Sequence, residues 1–346
     1  MSKSQKKTVL FRMNGVAAGF LREYGCKSCP QCSASKPQAH ISASLIVKDT
    51  WDNKRQVIYH ALFDCGIGAI DSLIDFGSPP VDDVFISHGH PYHSLGLDRL
   101  VWGHARHYQG HLPLPIHCTQ ATLDEGPKRV YPRFFKKEPA ERDERKPPKR
   151  GLFHVPVQPG RQEDIPKAGI DLKIRPISVY QGGTAGHAVI WIVEFGSGES
   201  HRKLVLGWEF LHFLPPFEGE DPCQHCQAKD EGHEPSDTDF AARFQDFFRD
   251  VDELFFDGNT RMPGMDVGQD TKHMSIKTGL EFLIPAVKPK RTWVVHYSGH
   301  EDEGGPLSDE ELQSWIDRKK KTGKYRVGED AEINVAKHGM VLVYSV

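Results

Sequence analysis

The chain has 346 residues, seven cysteines, and 47 acidic against 44 basic side chains for a formal net charge of −3. That length can bury one large core or two ordinary ones, and the near-neutral balance carries no general signal for nucleic acid or an anionic membrane. An odd cysteine count in so long a chain excludes a disulfide scaffold, and no apolar run is long enough to cross a bilayer.

The first residues, "MSKSQKKTVLFRMNG", form a polar tail running into a strand. They lack the apolar core and small-residue cleavage site of a leader, so a cytoplasmic protein is expected. Cys26, Cys29 and Cys32 follow within the loop 24–36. The C-x2-C-x2-C spacing is too tight for disulfide loops and suits tetrahedral zinc, with one ligand still to be supplied. Strands are predicted at 41–49 and 56–66, then a helix at 68–77 with apolar residues three and four apart. The strand predicted at 81–90 leads into "SHGHPYHSLGL". His88 and His90 fall on one face at period two, and His93 returns from the first turn of the helix predicted at 94–108. Three imidazoles converging after an apolar strand point to a transition metal, because imidazole is its commonest side-chain ligand.

A strand at 114–119 leads to 128–150, a basic, proline-rich segment interrupted by acids. Strands follow at 170–180, 187–196 and 202–208, and then 215–237, acidic and turn-rich. Both segments read as insertions in the form of solvated loops. The second carries Cys223, His225, Cys226 and His233, a C-x2-C pair with nearby histidines that suits a further zinc. Beyond it come an amphipathic helix at 238–254, a strand at 253–258, a helix at 275–287 and a strand at 291–298. The helix at 308–323 has a serine cap, acids in its first turn and lysines in its last, and a strand at 338–346 closes the chain. There is no internal repeat. Many strands with helices within and after the series imply helix-covered sheets in one domain, 1–346.

"FISHGHPYHSLGL" resembles the H-x-H-x-D-H signature of the metallo-β-lactamase fold. "ALFDCG", with Asp64, resembles the family's second-strand motif, whose aspartate supports the metal site. "HYSGH" resembles the segment of its last metal-binding histidine, here His296. "KHMSIKTGLEFL" resembles the segment that carries an extra active-site histidine, here His273, in the tRNase Z and PhnP-like branches. The cysteine loop resembles that of PhnP-like cyclic phosphodiesterases and of PqqB. In PhnP-like proteins such cysteines hold a structural zinc with a late histidine, which by position is His300. The resemblance runs from Val9 to Val346. It implies an α/β architecture, a metallo-β-lactamase-like αββα sandwich of two mixed β-sheets flanked by helices, with the metals at one edge.

The family pattern is broken in three places. Tyr92 stands where the signature has aspartate, Gln181 where a fourth histidine is expected, and Trp208 where a bridging aspartate should end a strand, with Glu209 beside it. Three consequences compete. One metal is held by His88, His90, His93 and His296 with Glu209 as the carboxylate; or His187 and His212 replace lost ligands; or the site is inactive and the fold is reused for binding. A neutral phenol is not a normal ligand for zinc or manganese, so Tyr92 is expected to donate a hydrogen bond to a substrate oxygen.

The expected function is a metal-dependent hydrolase acting on a phosphodiester or cyclic phosphate of a small molecule or nucleotide. It would carry one structural zinc per chain and one or two active-site ions of zinc, manganese or iron. His273 would stabilise developing charge or protonate the leaving oxygen, and Arg129, Arg133, Lys136 and Lys137 would attract an anionic substrate. The rival expectations are a non-haem iron, oxygen-dependent enzyme resembling PqqB, and a catalytically inactive binding protein of this fold. Nucleic acid is the less favoured substrate, no membrane partner is expected, and a homodimer is compatible with the sequence.

Overall fold

Strict alternation in β1 (Lys7–Gly15) sets up two faces at once. Val9, Phe11 and Met13 are fully buried on one side, while Arg12 and Asn14 turn to the other. The computed structural model describes residues 7–19, 26, 30–33, 38–51, 54–108, 113–135, 151–180, 188–210, 212–213, 246–262, 274–297, 300, 305, 307–323 and 325–346. β2 (Ser42–Trp51) and β3 (Lys54–Phe63) continue as an antiparallel pair, and β4 (Asp83–Phe85), β5 (Leu114–Cys118) and β6 (Leu152–Pro156) add in parallel.

The second sheet is built on an antiparallel meander of β8 (Leu172–Tyr180), β9 (Ala188–Phe195) and β10 (Arg202–Gly207), with β7 (Glu163–Asp164) and β11 (His212–Phe213) as short partners of β8. β12 (Glu253–Asp257), β13 (Arg291–Val295) and β14 (Glu332–Val335) extend it in parallel from β10. β15 (Val341–Ser345) returns to the first sheet beside β1. Among the described residues the sheet orders are β15-β1-β2-β3-β4-β5-β6 and β11-β8-β9-β10-β12-β13-β14.

The two inner faces meet in one core. Phe11, Leu45, Phe63 and Phe85 pack with Ile190, Ile192, Leu206, Phe255 and Phe256, and the Phe11 and Phe255 ring centroids lie 4.7 Å apart. Burying each such side chain contributes about 1.5–3 kcal/mol. On the outer face of the first sheet, Leu62, Val84 and Ile116 pack under helices Ala69–Asp75 and Leu97–His107 through Leu73, Leu97 and Leu100. The second sheet is covered by a helical run ending at Val287 and by helix Asp309–Lys321, through Leu280, Leu283, Leu312 and Ile316. The layers are helix, sheet, sheet, helix, the αββα sandwich expected from the sequence.

Several boundaries differ from the sequence reading. The strand predicted at 81–90 pairs only over Asp83–Phe85, because the backbone beyond it turns to present the histidines. The helix predicted at 238–254 is helical over 246–248 among the described residues, and Glu253 already begins β12. The helix at 275–287 widens to π geometry over Gly279–Leu283. Pro285 follows at once, and with no N–H of its own it cannot continue the ordinary ladder. The segment 128–150 does not begin as a loop: Pro127–Val130 is helical, and Phe134 is buried against Trp102 and Tyr131.

Candidate metal centre

Parallel pairing brings functional side chains to one place. The C-terminal ends of β3 and β4 share an edge of the first sheet, and those of β10, β12 and β13 share an edge of the second. The N–H of Val189 donates to Ser87 O at 2.9 Å and that of His296 to Val16 O at 2.7 Å, joining the edges. Asp64, Glu209 and His296 each stand immediately beyond a strand or one residue further, and each has a left-handed backbone, with φ of 53°, 70° and 55°. Positive φ is costly for residues with a Cβ, and three such positions at one edge mark a site whose side chains are aimed by the backbone. Gly89 has a different reason: a Cβ there would stand 2.8 Å from Glu125 Cβ, so glycine lets the histidine loop lie against the end of helix Gln120–Glu125.

Glu209 lies at the centre. Its Oε2 is 2.8 Å from His93 Nε2 and 3.2 Å from both His88 Nε2 and His296 Nε2, and its Oε1 is 2.9 Å from His90 Nδ1. The Tyr92 hydroxyl donates to Oε1 at 2.5 Å and lies 2.8 Å from His90 Nδ1. The hydroxyl expected to reach a substrate oxygen is therefore directed inward, to Glu209. Two donor groups share this carboxylate, His88 with His90 and His93 with His296. Glu209 thus stands where the sequence pattern placed Trp208. The Trp208 indole instead donates to Asp64 Oδ2 at 2.7 Å.

Behind the imidazoles is a layer of acceptors. Asp64 Oδ2 accepts from His93 Nδ1 at 2.8 Å and from Ser87 Oγ at 2.7 Å, while Ser87 Oγ lies 3.0 Å from His88 Nδ1. Asp257 Oδ1 is 3.2 Å from His296 Nδ1 and accepts from the Asn259 N–H at 3.0 Å. With Nδ1 engaged in this way, His88, His93 and His296 present Nε2 to the centre. Asp64, expected from the sequence to support a metal site, lies behind His93. Asp257 and Ser87 were missed; the sequence signal for Asp257 is a carboxylate at the end of "ELFFD", one strand before that of His296.

Burial alone would raise Glu209, but His88 and His296 outweigh it and hold the carboxylate well below its usual range. Burial likewise opposes ionisation of Asp64, and His93 with the Ser87 N–H keeps it low. Burial pulls His88 down to about 4 against the attraction of Glu209. His296 goes the other way: Glu209 and Asp257 overcome burial and push it up to about 10. Glu209 and Asp64 are therefore held ionised in a buried site that favours positive charge beside them. A metal ion would supply such charge, and the spacing of the donor atoms is compatible with one. Donors each about 2.1 Å from an ion stand about 3.0 Å apart at a right angle and about 3.4 Å apart at the tetrahedral angle. The nitrogen–oxygen separations around Glu209 fall between 2.8 and 3.2 Å.

A second donor group forms at Cys26, Cys32 and His300, with Cys32 Sγ 3.2 Å from His300 Nε2. Cys29 lies outside the described residues, as do Gln181, His187, Cys223, His225, Cys226, His233, His273, Lys136 and Lys137. His212 contributes backbone pairing to β11. Arg129 and Arg133 are exposed, and no described contact places them at the histidines. Among the described residues no helix is long and apolar enough to cross a membrane.

No protein-family model matches the chain, and no curated protein matches it in sequence. Solved structures do match. A diphosphatase of the PhnP family is 17% identical with a TM-score of 0.61, the match covering 98% of each chain. The metallo-β-lactamase fold protein YhfI from Bacillus subtilis is 14% identical with a TM-score of 0.55, covering 97% of this chain and 99% of that one. A long-form RNase Z from yeast is 9% identical with a TM-score of 0.55, covering 96% of this chain and 41% of that one. At these identities the likeness is one of fold. With two mixed sheets in a helix-flanked sandwich and a histidine cluster at their strand ends, the chain has the metallo-β-lactamase fold.

Proposed function

We propose that the chain is a metal-dependent hydrolase of an anionic phosphodiester or cyclic phosphate, on a small molecule or nucleotide. The observation that carries this reading is Glu209, one buried carboxylate reaching both imidazole pairs. Metal bound there would polarise a phosphoryl oxygen and lower the pKa of bound water. The chain's own residues do the rest. Asp64 and Asp257 orient His93 and His296, and Glu209 ties the strands of the second sheet to the histidine loop of the first. Gly126 packs on Gly89, so the helix carrying Arg129 starts beside the histidine loop, which supports Arg129 and Arg133 as groups attracting the anion. The Met274 N–H donates to Phe210 O at 2.7 Å, one residue from Glu209, which supports assigning its sequence neighbour His273 the protonation of the leaving oxygen. Cys26, Cys29, Cys32 and His300 would hold a structural zinc.

Hydrolysis of bis(4-nitrophenyl) phosphate tests the reading. Chelator treatment should abolish turnover and zinc, manganese or iron should restore it. The Glu209→Gln variant should lose at least the roughly 10–100-fold typical of outer-shell metal partners. Wild-type protein that cleaves nothing with any of these metals, or a Glu209→Gln variant as active as wild type, would overturn it.

A further inference from the structure

We propose that His117 is a charged latch between the two sheets, closed while its imidazole carries both protons and opened as pH rises, so that alkaline conditions loosen the strand that delivers the histidine loop. The latch lies apart from the metal centre and does not depend on the hydrolase reading. Valence is the first ground. His117, on β5, is buried. Its Nε2 lies 2.9 Å from Asp83 Oδ1, at the start of β4 in the first sheet, and its Nδ1 lies 3.3 Å from Glu163 Oε2, on β7 of the second. Neutral imidazole has one N–H, so it can donate to only one of these oxygens and turns a lone pair on the other. The imidazolium ion satisfies both.

The second ground is the balance of charge around the ring. Asp83 Oδ2 accepts from the Tyr59 hydroxyl of β3 at 2.8 Å and pairs with Lys167 Nζ, from the short helix Pro166–Ala168, at 2.6 Å. Asp82, next to Asp83, accepts the His60 N–H instead. On β6 the residue level with His117 is Val155, and Phe85 of β4 stacks on the ring at 4.4 Å between centroids. The ring and Lys167 are thus two cations against two carboxylates, with burial and Asp83 keeping Tyr59 a neutral phenol. Burial opposes charge on His117, and Asp83 and Glu163 outweigh it and raise its pKa. Loss of one proton leaves both carboxylates facing Lys167 alone. Glu163, whose side chain is 23% exposed against 2% for Asp83, is the partner that can turn to water.

The third ground is where the latch sits. The chain passes from the first sheet to the second between β6 and β7, and Glu163 opens β7. His117 grips β4 at both ends, through Asp83 and through Phe85, and its carbonyl accepts the Ile86 N–H at 2.9 Å, two residues before His88. A pKa raised by folding means that the stability this group contributes is fully present below the unfolded value near 6.5 and is lost as pH rises through the raised one.

The test is nitrogen-15 NMR of the histidine rings in the full-length protein, with urea unfolding and hydrogen exchange at pH 6 and pH 9. His117 should titrate above the 6.5 of an unperturbed imidazole, as a ring with both nitrogens protonated, and should titrate lower in Glu163→Gln. The urea midpoint should fall further between the two pH values in wild type than in His117→Gln. Over the same range the Ile86 amide, corrected for its intrinsic exchange rate, should lose more protection in wild type than in the variant. A His117 that titrates at or below 6.5, or equal falls in wild type and His117→Gln, overturns the latch. Should His117→Gln not fold, Glu163→Gln decides, since it keeps the Asp83 contact: an unchanged His117 titration there also overturns it.

Discussion

A buried imidazole is neutral or charged according to what faces it, and His60 is held neutral. It is fully buried in a polar layer between the first sheet and helix Ala69–Asp75. Its Nδ1 lies 3.2 Å from Pro80 O and its Nε2 2.8 Å from Ser44 Oγ, which also accepts from Asn14 Nδ2. Burial is the main cause that lowers it to about 4. A depressed folded-state pKa means that the stability it contributes is fully present above the unfolded value near 6.5 and is lost as pH falls through about 4. Between pH 7 and pH 4 the loss from this group should be roughly 3 kcal/mol. Urea unfolding at the two pH values reads it. Wild type should lose more stability on acidification than His60→Gln, and equal losses would contradict the account. The same scale shows what was legible in the sequence. His88, His90, His93 and His296 follow from spacing and from a motif. The centrality of Glu209 does not, because the pattern pointed one residue earlier and only the left-handed backbone at Glu209 turns the carboxylate inward.

At the scale of elements, the free edge of β14 is instructive. Gln313, on helix Asp309–Lys321, donates through Nε2 to Ile333 O at 2.9 Å and accepts the Val335 N–H at 2.7 Å. One side chain thus occupies the backbone positions that a further strand would use, and Lys320 takes Ala331 O. Covering an edge in this way protects it from pairing with other chains. Gln313→Ala should lower stability by about 1–2 kcal/mol from two lost hydrogen bonds, and should raise the rate of aggregation under mild heating. A variant with unchanged melting temperature and light scattering would show that the edge needs no cover. β1 and β2 were readable because their core residues fall at period two, and β9 because it is a nearly continuous apolar run, buried over Ala188–Val193. β14, four residues of "EINV", was not, because so short a run contains no period. β6 was hidden for a different reason: it adjoins 128–150, whose composition reads as loop, and its place comes from parallel pairing with β5.

At the scale of the whole molecule, the site is assembled from distant sequence. Trp208 donates to Asp64 across 144 positions and Glu209 meets His93 across 116. No local pattern encodes those distances; they arise when two sheets pack with their parallel ends on a common edge. Motifs made the fold legible, while the supporting contacts of Trp208, Ser87 and Asp257 depended on that packing. The Cys26, Cys32 and His300 group adds a tie of the same kind, joining the N-terminal loop to the residues just past His296. A zinc there would brace the strand end that carries His296 without belonging to the histidine centre.

The most direct test of the account is metal content per chain, by inductively coupled plasma mass spectrometry, on wild type, a Cys26→Ser/Cys32→Ser variant and Glu209→Gln. Wild type should hold zinc plus at least one further equivalent of zinc, manganese or iron. The cysteine variant should lose one zinc only, and Glu209→Gln should lose the further metal only. Wild type with a single zinc that disappears in the cysteine variant and persists in Glu209→Gln would contradict the account, leaving the four histidines around Glu209 without a metal.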